Sequence, residues 1–165
     1  MDETHARMTW WGELSERFAS TPFRTFVVYP IVVFLVEIWS EGTNFFILPV
    51  GLIFLVWGYG QYRFVGNYRL KIAGGGPGLS GAPPEQLVTT GPYSITRNPM
   101  YLGHLIFMYG LVLTFRSWLA VALLGFHMWW FHTRVLRDEQ KLYELFGRAY
   151  ASYAANVKRW IPGLF

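Results

Sequence analysis

The stretch LVTTGPYSITRNPMYLG, residues 87–103, joins a segment rich in glycine and proline to a strongly apolar one. Thr89–Pro92 has the composition of a turn, and Asn98 is a favoured residue immediately before a helix. Pro99 suits the first helical position, because the N–H that proline lacks would have no partner there. The stretch therefore predicts that a helix begins at Pro99. The free N–H groups of its first turn would also attract an anion weakly.

Four apolar runs surround this point and are predicted to be transmembrane helices. They are Phe23–Trp39, Phe45–Tyr62, Met100–Phe115 and Trp118–Phe131. Short connections join the first to the second and the third to the fourth, so we expect two helical hairpins. Pro30 is expected to kink the first helix, because an internal proline removes a hydrogen bond and clashes with the preceding turn.

The composition favours the same fold class, an all-α membrane protein. Of the 165 residues, 53% are hydrophobic and 15% are charged, which is more apolar surface than so small a soluble core can bury. The chain has no cysteine, which excludes disulfides, a thiolate nucleophile and cysteine-ligated metals, and we expect no metal site. The basic residues are not arranged as a nucleic-acid-binding stripe, so no nucleic-acid partner is expected.

The distribution of basic residues predicts the orientation. They are concentrated between the second and third helices and after the fourth, whereas the opposite loops contain only Arg116. Because basic loops stay in the cytoplasm, we expect a multi-pass membrane protein whose termini and long loop are cytoplasmic. Residues 1–18, MDETHARMTWWGELSERF, lack an uninterrupted apolar region, so a cleaved signal peptide is not expected and the first span should target the chain.

The segment after the fourth helix has the pattern of an amphipathic helix. Apolar residues recur three or four positions apart from Leu142 to Val157, among many charges. This helix is predicted to break near Gly147 and is too polar to span, so it should lie on the membrane surface or fold back over the spans. We therefore expect one membrane domain, divided into residues 1–62 (N-terminal segment and first hairpin), 63–98 (cytosolic loop), 99–134 (second hairpin) and 135–165 (amphipathic cap).

Three polar residues at the start of the third helix have both a structural and a functional interpretation. Arg97 could extend to lipid phosphates and Tyr101 could lie in the interfacial aromatic belt, or both could bind a ligand. His104, one turn after Tyr101 on the same face, is more typical of a packed residue than of a metal ligand.

Three charged residues after the fourth helix are equally open to two interpretations. Arg134 and Asp138 lie four residues apart and could form a surface ion pair of small energetic value. Glu139 points about 100° away from Asp138, given 3.6 residues per turn. A carboxylate so close to a transmembrane helix is expected to face protein, water or a cationic ligand rather than lipid.

Two motif regions, one before and one after the second predicted hairpin, resemble those of a known enzyme family. Residues 87–103 match L-V-T-x-G-x-Y, followed by R-H-P or R-N-P and then x-Y-x-G. RVLRDEQKL, residues 134–142, is similar to R-x-x-x-E-E-x-x-L, and FGRAYASYAANVKRWIP, residues 146–162, is similar to F-G-x-x-Y-x-x-Y before a final I-P. Over residues 87–162 the chain therefore resembles the isoprenylcysteine carboxyl methyltransferases and related phospholipid methyltransferases, a family of integral membrane enzymes.

The chain departs from this pattern at a few positions. Asp138 stands in place of the first glutamate of the Glu-Glu pair, which is a conservative change. Glu85 and Gln86 stand where the carboxyl methyltransferases have a histidine before L-V-T, and Asn98 replaces the histidine of R-H-P. These last differences favour a phospholipid or another small lipophile over a prenylcysteine as the substrate.

The resemblance implies that S-adenosylmethionine binds at the cytosolic end of the third and fourth helices, beneath the loop and the C-terminal helix. By motif position, the cofactor would be surrounded by Leu87, Gly91, Tyr93, Arg97, Asn98, Tyr101 and Gly103, with Asp138 and Glu139 closing the site. We add His104, since it follows Tyr101 by one turn on the same helix face.

The chemistry of the cofactor is compatible with these residues. Arg97 suits its carboxylate and Glu139 its ammonium group, while tyrosines can flank the adenine or the sulfonium. An amine acceptor must lose a proton, which Glu139 or His104 could accept, whereas a carboxylate acceptor could be oriented by Arg134. Arg134 and Glu139 are therefore the candidate catalytic residues. The expected partners are membrane lipids or a lipophilic small molecule that enters between the helices.

Other functions are compatible with the same pattern. The acceptor could be a prenylcysteine-like carboxylate or a thiol. Sterol reductases end in a somewhat similar helical hairpin and polar tail but use a nicotinamide dinucleotide, for which this short chain leaves little room. A membrane scaffold or small transporter would use the polar loop only as a linker.

Overall fold

The computed structural model describes residues 20–42, 46–74 and 84–160, and these residues form helices, turns and loops without a strand. The helices are α1 (Thr21–Glu41), α2 (Pro49–Ala73), α3 (Pro99–Phe115), α4 (Trp118–Phe146) and α5 (Arg148–Asn156). A short 3₁₀ turn at Gly91–Ser94 precedes α3. The helix start predicted at Pro99 is confirmed. The predicted N-terminal segment before Ser20 lies outside the described residues.

Helix α1 contains a wide turn shortly before Pro30. Arg24–Val28 is π-helical, and the N–H of Tyr29 bonds to the carbonyl of Arg24, five residues back. The helix then continues through Pro30. A π turn often accommodates a disturbance in the backbone hydrogen bonds of a helix. This one ends two residues before Pro30, which has no backbone N–H to donate.

Helix α2 begins at Pro49 and continues past its expected end at Tyr62 to Ala73. The additional turns are stabilised by burial, because Val65 and Ala73 are 1% and 0% exposed. The helix ends at Gly74, whose φ of 60° favours glycine. The first part of the predicted connecting loop is therefore helical.

The most extensive contact between helices is that of α2 with α3, which belong to different predicted hairpins. Gly51 and Gly58 on α2, and Gly103 and Gly110 on α3, lie seven residues apart, so each pair shares one helix face. A Cβ atom added at Gly58 would lie 2.4 Å from the backbone nitrogen of Phe107. The antiparallel helices thus approach until their backbones touch, as small residues allow in membrane helix pairs.

Helix α4 joins two elements that the sequence separates. The fourth span was expected over Trp118–Phe131, with a distinct amphipathic helix after it, but one helix runs to Phe146. Its N-cap is Ser117, whose hydroxyl accepts a hydrogen bond from the N–H of Ala120 at 3.2 Å. The predicted break at Gly147 is confirmed, since this residue has a φ of 49° and separates α4 from α5.

The outer surface of the helices is strongly apolar. Helix α1 has 21 residues and a mean hydropathy of 1.6, and within the described ranges it is the helix whose length and composition both suit a membrane crossing, while α3 is apolar but shorter. Large apolar side chains are also exposed on α2 and α4, including Ile53, Val56, Trp57, Met128 and Trp129. Such a continuous apolar surface is typical of membrane association.

Candidate functional site

A cavity of about 570 Å³ lies where the beginning of α1 and the helices α2, α3, α4 and α5 meet the loop of residues 84–98, which we call the cavity loop. Its volume lies within the range of roughly 300–1,000 Å³ that is typical of cofactor sites. Of the residues predicted from the sequence as site residues, its wall contains Leu87, Tyr93, Arg97, Asn98, Tyr101, His104, Arg134, Asp138 and Glu139. The structure thus brings residues from both predicted motif regions to one cavity.

The two predicted glycines lie outside the cavity wall. Gly103 packs against α2, where an added Cβ would lie 3.0 Å from the carbonyl oxygen of Gly58 and from the nitrogen of Tyr62. Gly91 has a φ of 58° and packs against the Tyr68 ring. Both glycines therefore serve close packing, Gly103 between helices and Gly91 between the cavity loop and α2.

Glu139 is the centre of a cluster with two arginines. It accepts hydrogen bonds from Nε and Nη2 of Arg159 at 3.0 and 2.9 Å, and Nη2 of Arg97 lies 3.5 Å away. The side chains of Arg97 and Glu139 are each 13% exposed. The hydrogen bonds to Glu139 raise the pKa of Arg159 above its usual value. Glu139, a residue of the cavity wall, therefore has two cationic partners within the chain.

A second polar cluster lies deeper along α4. The hydroxyl of Tyr101 donates to Oδ2 of Asp138 at 2.8 Å, and Nε of Arg134 lies 4.0 Å from the same oxygen. The guanidinium of Arg134 also lies 5.6 Å from the centre of the Trp130 ring. Arg134 and Asp138 therefore belong to the cavity wall rather than to an open surface, and Tyr101 fixes the carboxylate orientation.

His104 is held by aromatic rings at the inner end of the cavity. Its imidazole stacks on Phe26 at 4.7 Å and meets the edges of Tyr62 and Phe131 at 4.9 and 5.5 Å. The residue is 4% exposed, and its Nδ1 has no hydrogen-bond partner among the described residues. The ring orientation is thus fixed by packing, while one nitrogen is left without a partner.

Hydrogen bonds fix the beginning of the cavity loop to α2. The N–H of Glu85 donates to the carbonyl of Ala73 at 2.9 Å, and the side-chain amide of Gln86 donates to the carbonyl of Ile72. The hydroxyl groups of Tyr68 and Thr90 are 2.7 Å apart. The unexpected extension of α2 therefore supports this side of the cavity.

The end of the cavity loop is fixed to α5 and the residues after it. Tyr153 donates its hydroxyl to the carbonyl of Tyr93 at 2.6 Å, and the N–H of Arg97 donates to the carbonyl of Lys158 at 2.9 Å. Burial raises the pKa of Tyr93 to about 12, so this phenol stays protonated at neutral pH. Helix α5 thus folds back over the cavity, which is one of its two expected placements.

Asn98 directly precedes α3, but its side chain makes no capping hydrogen bond to the helix. Its Nδ2 instead donates to the carbonyl of Arg159 at 3.1 Å, and Oγ1 of Thr96 donates to the same carbonyl at 3.0 Å. The expected capping bond is absent because the side-chain amide bonds to the C-terminal segment instead. The sequence pattern does not predict that this segment lies beside Asn98.

Replacing Asn98 with aspartate separates these two roles. Aspartate caps helices as well as asparagine does, so a capping role predicts no loss of stability. A carboxylate cannot donate to the Arg159 carbonyl. We therefore expect the free energy that holds the C-terminal segment against the cavity loop to fall by about 1 kcal/mol. Hydrogen exchange at the Arg97 amide should accelerate about fivefold, and unchanged exchange would contradict this assignment.

Several cavity residues were not predicted. Tyr62, Arg69 and Ala73 lie on α2, where no motif marks them. Tyr150 and Tyr153 are the two tyrosines of the F-G-x-x-Y-x-x-Y motif, which does provide a signal for them. Burial, followed by the charge of Glu139, raises the pKa of Tyr150 to about 12.

Comparisons with known proteins agree with this arrangement. A sequence model of the family described as phospholipid methyltransferase matches residues 45–149, which is more than half of the chain and includes α2, α3 and α4. Protein-S-isoprenylcysteine O-methyltransferase B of Arabidopsis thaliana is 33% identical over 79 residues, 47% of this chain and 40% of that protein. Protein-S-isoprenylcysteine O-methyltransferase of Schizosaccharomyces pombe is 31% identical over 77 residues, 46% of this chain and 33% of that protein.

A bacterial relative has a different name. Cobalt-zinc-cadmium resistance protein CzcN of Cupriavidus metallidurans is 30% identical over 86 residues, 52% of this chain and 40% of that protein. This chain thus covers less than half of the length of these relatives. The family match nevertheless covers more than half of the chain, including α2, α3 and α4, and we conclude that this chain belongs to the phospholipid methyltransferase family.

Proposed function

We propose that this protein transfers a methyl group from S-adenosylmethionine to a lipophilic acceptor at the cytosolic side of a membrane. The observation that supports this most is the cavity described above, in which cationic, carboxylate and phenolic side chains from the cavity loop, α3, α4 and α5 converge beside an apolar outer surface. Family membership supports the reaction class.

The donors and acceptors of the cavity fit the cofactor. Arg97 lines the cavity, and a guanidinium group can donate hydrogen bonds to a carboxylate. Asp138 is an anionic partner for an ammonium group, and Tyr93 and Tyr150 offer aromatic faces to an adenine or a sulfonium. Since Glu139 already has two arginine partners, we assign it the role of holding Arg97 in place.

The bound cofactor would supply an electrophilic methyl group. The chain then has to align the acceptor with this methyl group and to exclude water from the cavity. Alignment of the reacting groups can by itself accelerate the transfer strongly. Tyr101 and Asp138 form one wall for this purpose, with Arg134 beside them to orient an anionic acceptor. Leu87 and Leu142 supply apolar contacts that keep the cavity dry.

The proposed topology has four spans. Helices α2 and α4 carry exposed apolar side chains and would cross the membrane beside α1 and α3. The basic residues of the segment 63–98 and of the tail would place the cavity and both termini in the cytoplasm. A lipid would reach the cavity laterally between helices. A phospholipid or another small lipophile remains the proposed acceptor, with a prenylcysteine-like carboxylate or a thiol as the alternative.

Incubation of the purified protein with methyl-labelled S-adenosylmethionine and total membrane lipid extract tests this proposal. We expect label in a lipid-soluble product that is identified by mass spectrometry. Labelled phospholipid would support the first acceptor class, and label in a thiol or prenylated molecule the alternative. Absence of any labelled product, with the protein folded and the cofactor bound, would contradict the proposed reaction.

A further inference from the structure

Arg24 is a positive charge near the beginning of α1 that has no anionic partner among the described residues. The residue is partly exposed, yet its Nε is buried without a hydrogen-bond partner there, and none of the described ion pairs involves it. The next charged residue along α1 is Glu37. A charged side chain in an apolar membrane segment is unfavourable unless it meets water, a counter-charge or a lipid headgroup. Arg24 is therefore able to bind an anion.

Trp130 on α4 lies beside both Arg24 and a second arginine. The guanidinium carbon of Arg24 lies 5.8 Å from the centre of the Trp130 ring, and that of Arg134 lies 5.6 Å from the same centre. The indole ring attracts both cations but has no negative charge to balance them. Asp138 lies beside Arg134, with its Oδ2 4.0 Å from the Arg134 Nε. Within the described residues, the positive charge around Trp130 therefore exceeds the negative charge.

This pair of arginines adjoins the cavity. Arg134 belongs to the cavity wall, and so do Ser20 and Thr21 at the beginning of α1. The N–H of Arg24 bonds to the carbonyl of Ser20 at 3.2 Å, so Arg24 follows these wall residues by one helical turn on the same face. Helix α1 packs mainly against α3 rather than α4, and Arg24, Trp130 and Arg134 are all partly exposed. A small anionic group can therefore contact both arginines beside the cavity.

We propose that Arg24 binds an anionic oxygen group of the methyl acceptor beside Trp130 and Arg134, and thereby selects amphiphiles that carry a phosphate or a carboxylate. This inference depends on the proposed methyl transfer. A guanidinium group donates two parallel hydrogen bonds to two oxygens of one such anion, and the charge of Arg134 adds to the attraction. The apolar part of the acceptor would contact exposed side chains that follow Arg24 along α1, such as Val27 and Ile31.

Matched octyl amphiphiles test the preference for an anion. Octyl phosphate and octanoate are anionic at neutral pH, octyltrimethylammonium is cationic, and octyl glucoside is uncharged. By calorimetry with the purified protein and S-adenosylhomocysteine in a neutral detergent, we expect one anionic amphiphile to bind about tenfold more tightly than the last two. Tighter binding of octyl phosphate would identify a phosphate as the preferred group, and tighter binding of octanoate a carboxylate. Equal affinity for all four amphiphiles, or binding of neither anion, would overturn the inference.

Replacing Arg24 tests the residue itself. Arg24→Gln removes the charge but keeps a polar side chain, so we expect the preferred anionic amphiphile to bind about tenfold more weakly, as for a partly exposed charge-assisted hydrogen bond. Affinity for octyl glucoside and for S-adenosylhomocysteine should stay within about twofold of the parent. Arg24→Lys retains the charge without the planar pair of donors and should recover part of the lost affinity.

Arg137→Gln is the matched control, because Arg137 is exposed on α4 and lies outside the cavity wall. We expect its affinity for the anionic amphiphile to stay within about twofold of the parent. An unchanged affinity in Arg24→Gln would overturn the assignment, and so would an equal loss in Arg24→Gln and Arg137→Gln, which would indicate a general surface attraction.

Methylation kinetics connect this site to the acceptor. With labelled S-adenosylmethionine and the lipid product identified from the membrane extract, Arg24→Gln should raise the KM of the acceptor about tenfold and leave kcat within about threefold. An unchanged KM would overturn the role of Arg24 in acceptor binding. Failure of the parent protein to bind S-adenosylhomocysteine would instead count against the proposed function.

Discussion

Replacing Gly58 with alanine is expected to destabilise the protein strongly. The new Cβ would lie 2.4 Å from the Phe107 nitrogen and 2.7 Å from the Gly103 oxygen, and these are backbone atoms that cannot move aside alone. Helices α2 and α3 would have to separate. We expect a loss of about 3 kcal/mol, the upper end for overpacking, and a melting temperature about 6–12 °C lower in detergent.

Gly60→Ala is the matched control on the same helix. An added Cβ at Gly60 meets nothing within 4 Å, so the higher helix propensity of alanine should stabilise the protein by about 0.5–1 kcal/mol. The two variants therefore change stability in opposite directions. Equal melting temperatures for Gly58→Ala and the parent protein would contradict the close contact between α2 and α3.

Replacing Glu139 with alanine is expected to weaken cofactor binding strongly. The change leaves Arg97 and Arg159 close together without their shared carboxylate, so the two guanidinium groups repel and Arg97 loses its position. Truncating one partner of a buried charge pair costs about 2–5 kcal/mol, and the partial exposure of Arg159 reduces this to about 1.5–3 kcal/mol. We expect an affinity for S-adenosylhomocysteine roughly 10- to 100-fold lower by calorimetry.

Glu144→Ala is the control for this experiment. Glu144 is exposed on α4 and accepts a hydrogen bond only from Gln140 among the described residues, at 3.1 Å. Its removal should leave cofactor affinity within about twofold of the parent. If Glu139→Ala behaved like Glu144→Ala, the positioning role assigned to Glu139 would be untenable.

The sequence predicts those parts of the fold that depend on local chemistry. Pro99 does begin a helix and Gly147 does end one, because both residues act through their own backbone restrictions. The end of α2 was not predictable in the same way. Gly66 and the polar residues after Tyr62 suggest a loop, and only burial of Val65 and Ala73 against distant segments keeps the helix intact.

In the candidate site, too, the features set by local sequence were predictable and those set by tertiary packing were not. Most of the site residues predicted from the two motif regions reach the cavity wall, and those on α3 and α4 do so at helical spacing. The partners of Glu139 and Asn98 were not predictable, because the pairing with Arg159 depends on how α5 folds back. Gly103 was assigned to the cofactor, yet it lies in the contact between α2 and α3, where only the tertiary packing reveals the close approach.

Titration of the purified protein with S-adenosylhomocysteine by calorimetry tests the central claim most directly. We predict saturable binding to one site per chain, at least tenfold weaker binding to Arg97→Ala, and no binding of NADPH. Binding of NADPH without S-adenosylhomocysteine, or binding of neither, would contradict the assignment of this cavity as the site of a methyl donor.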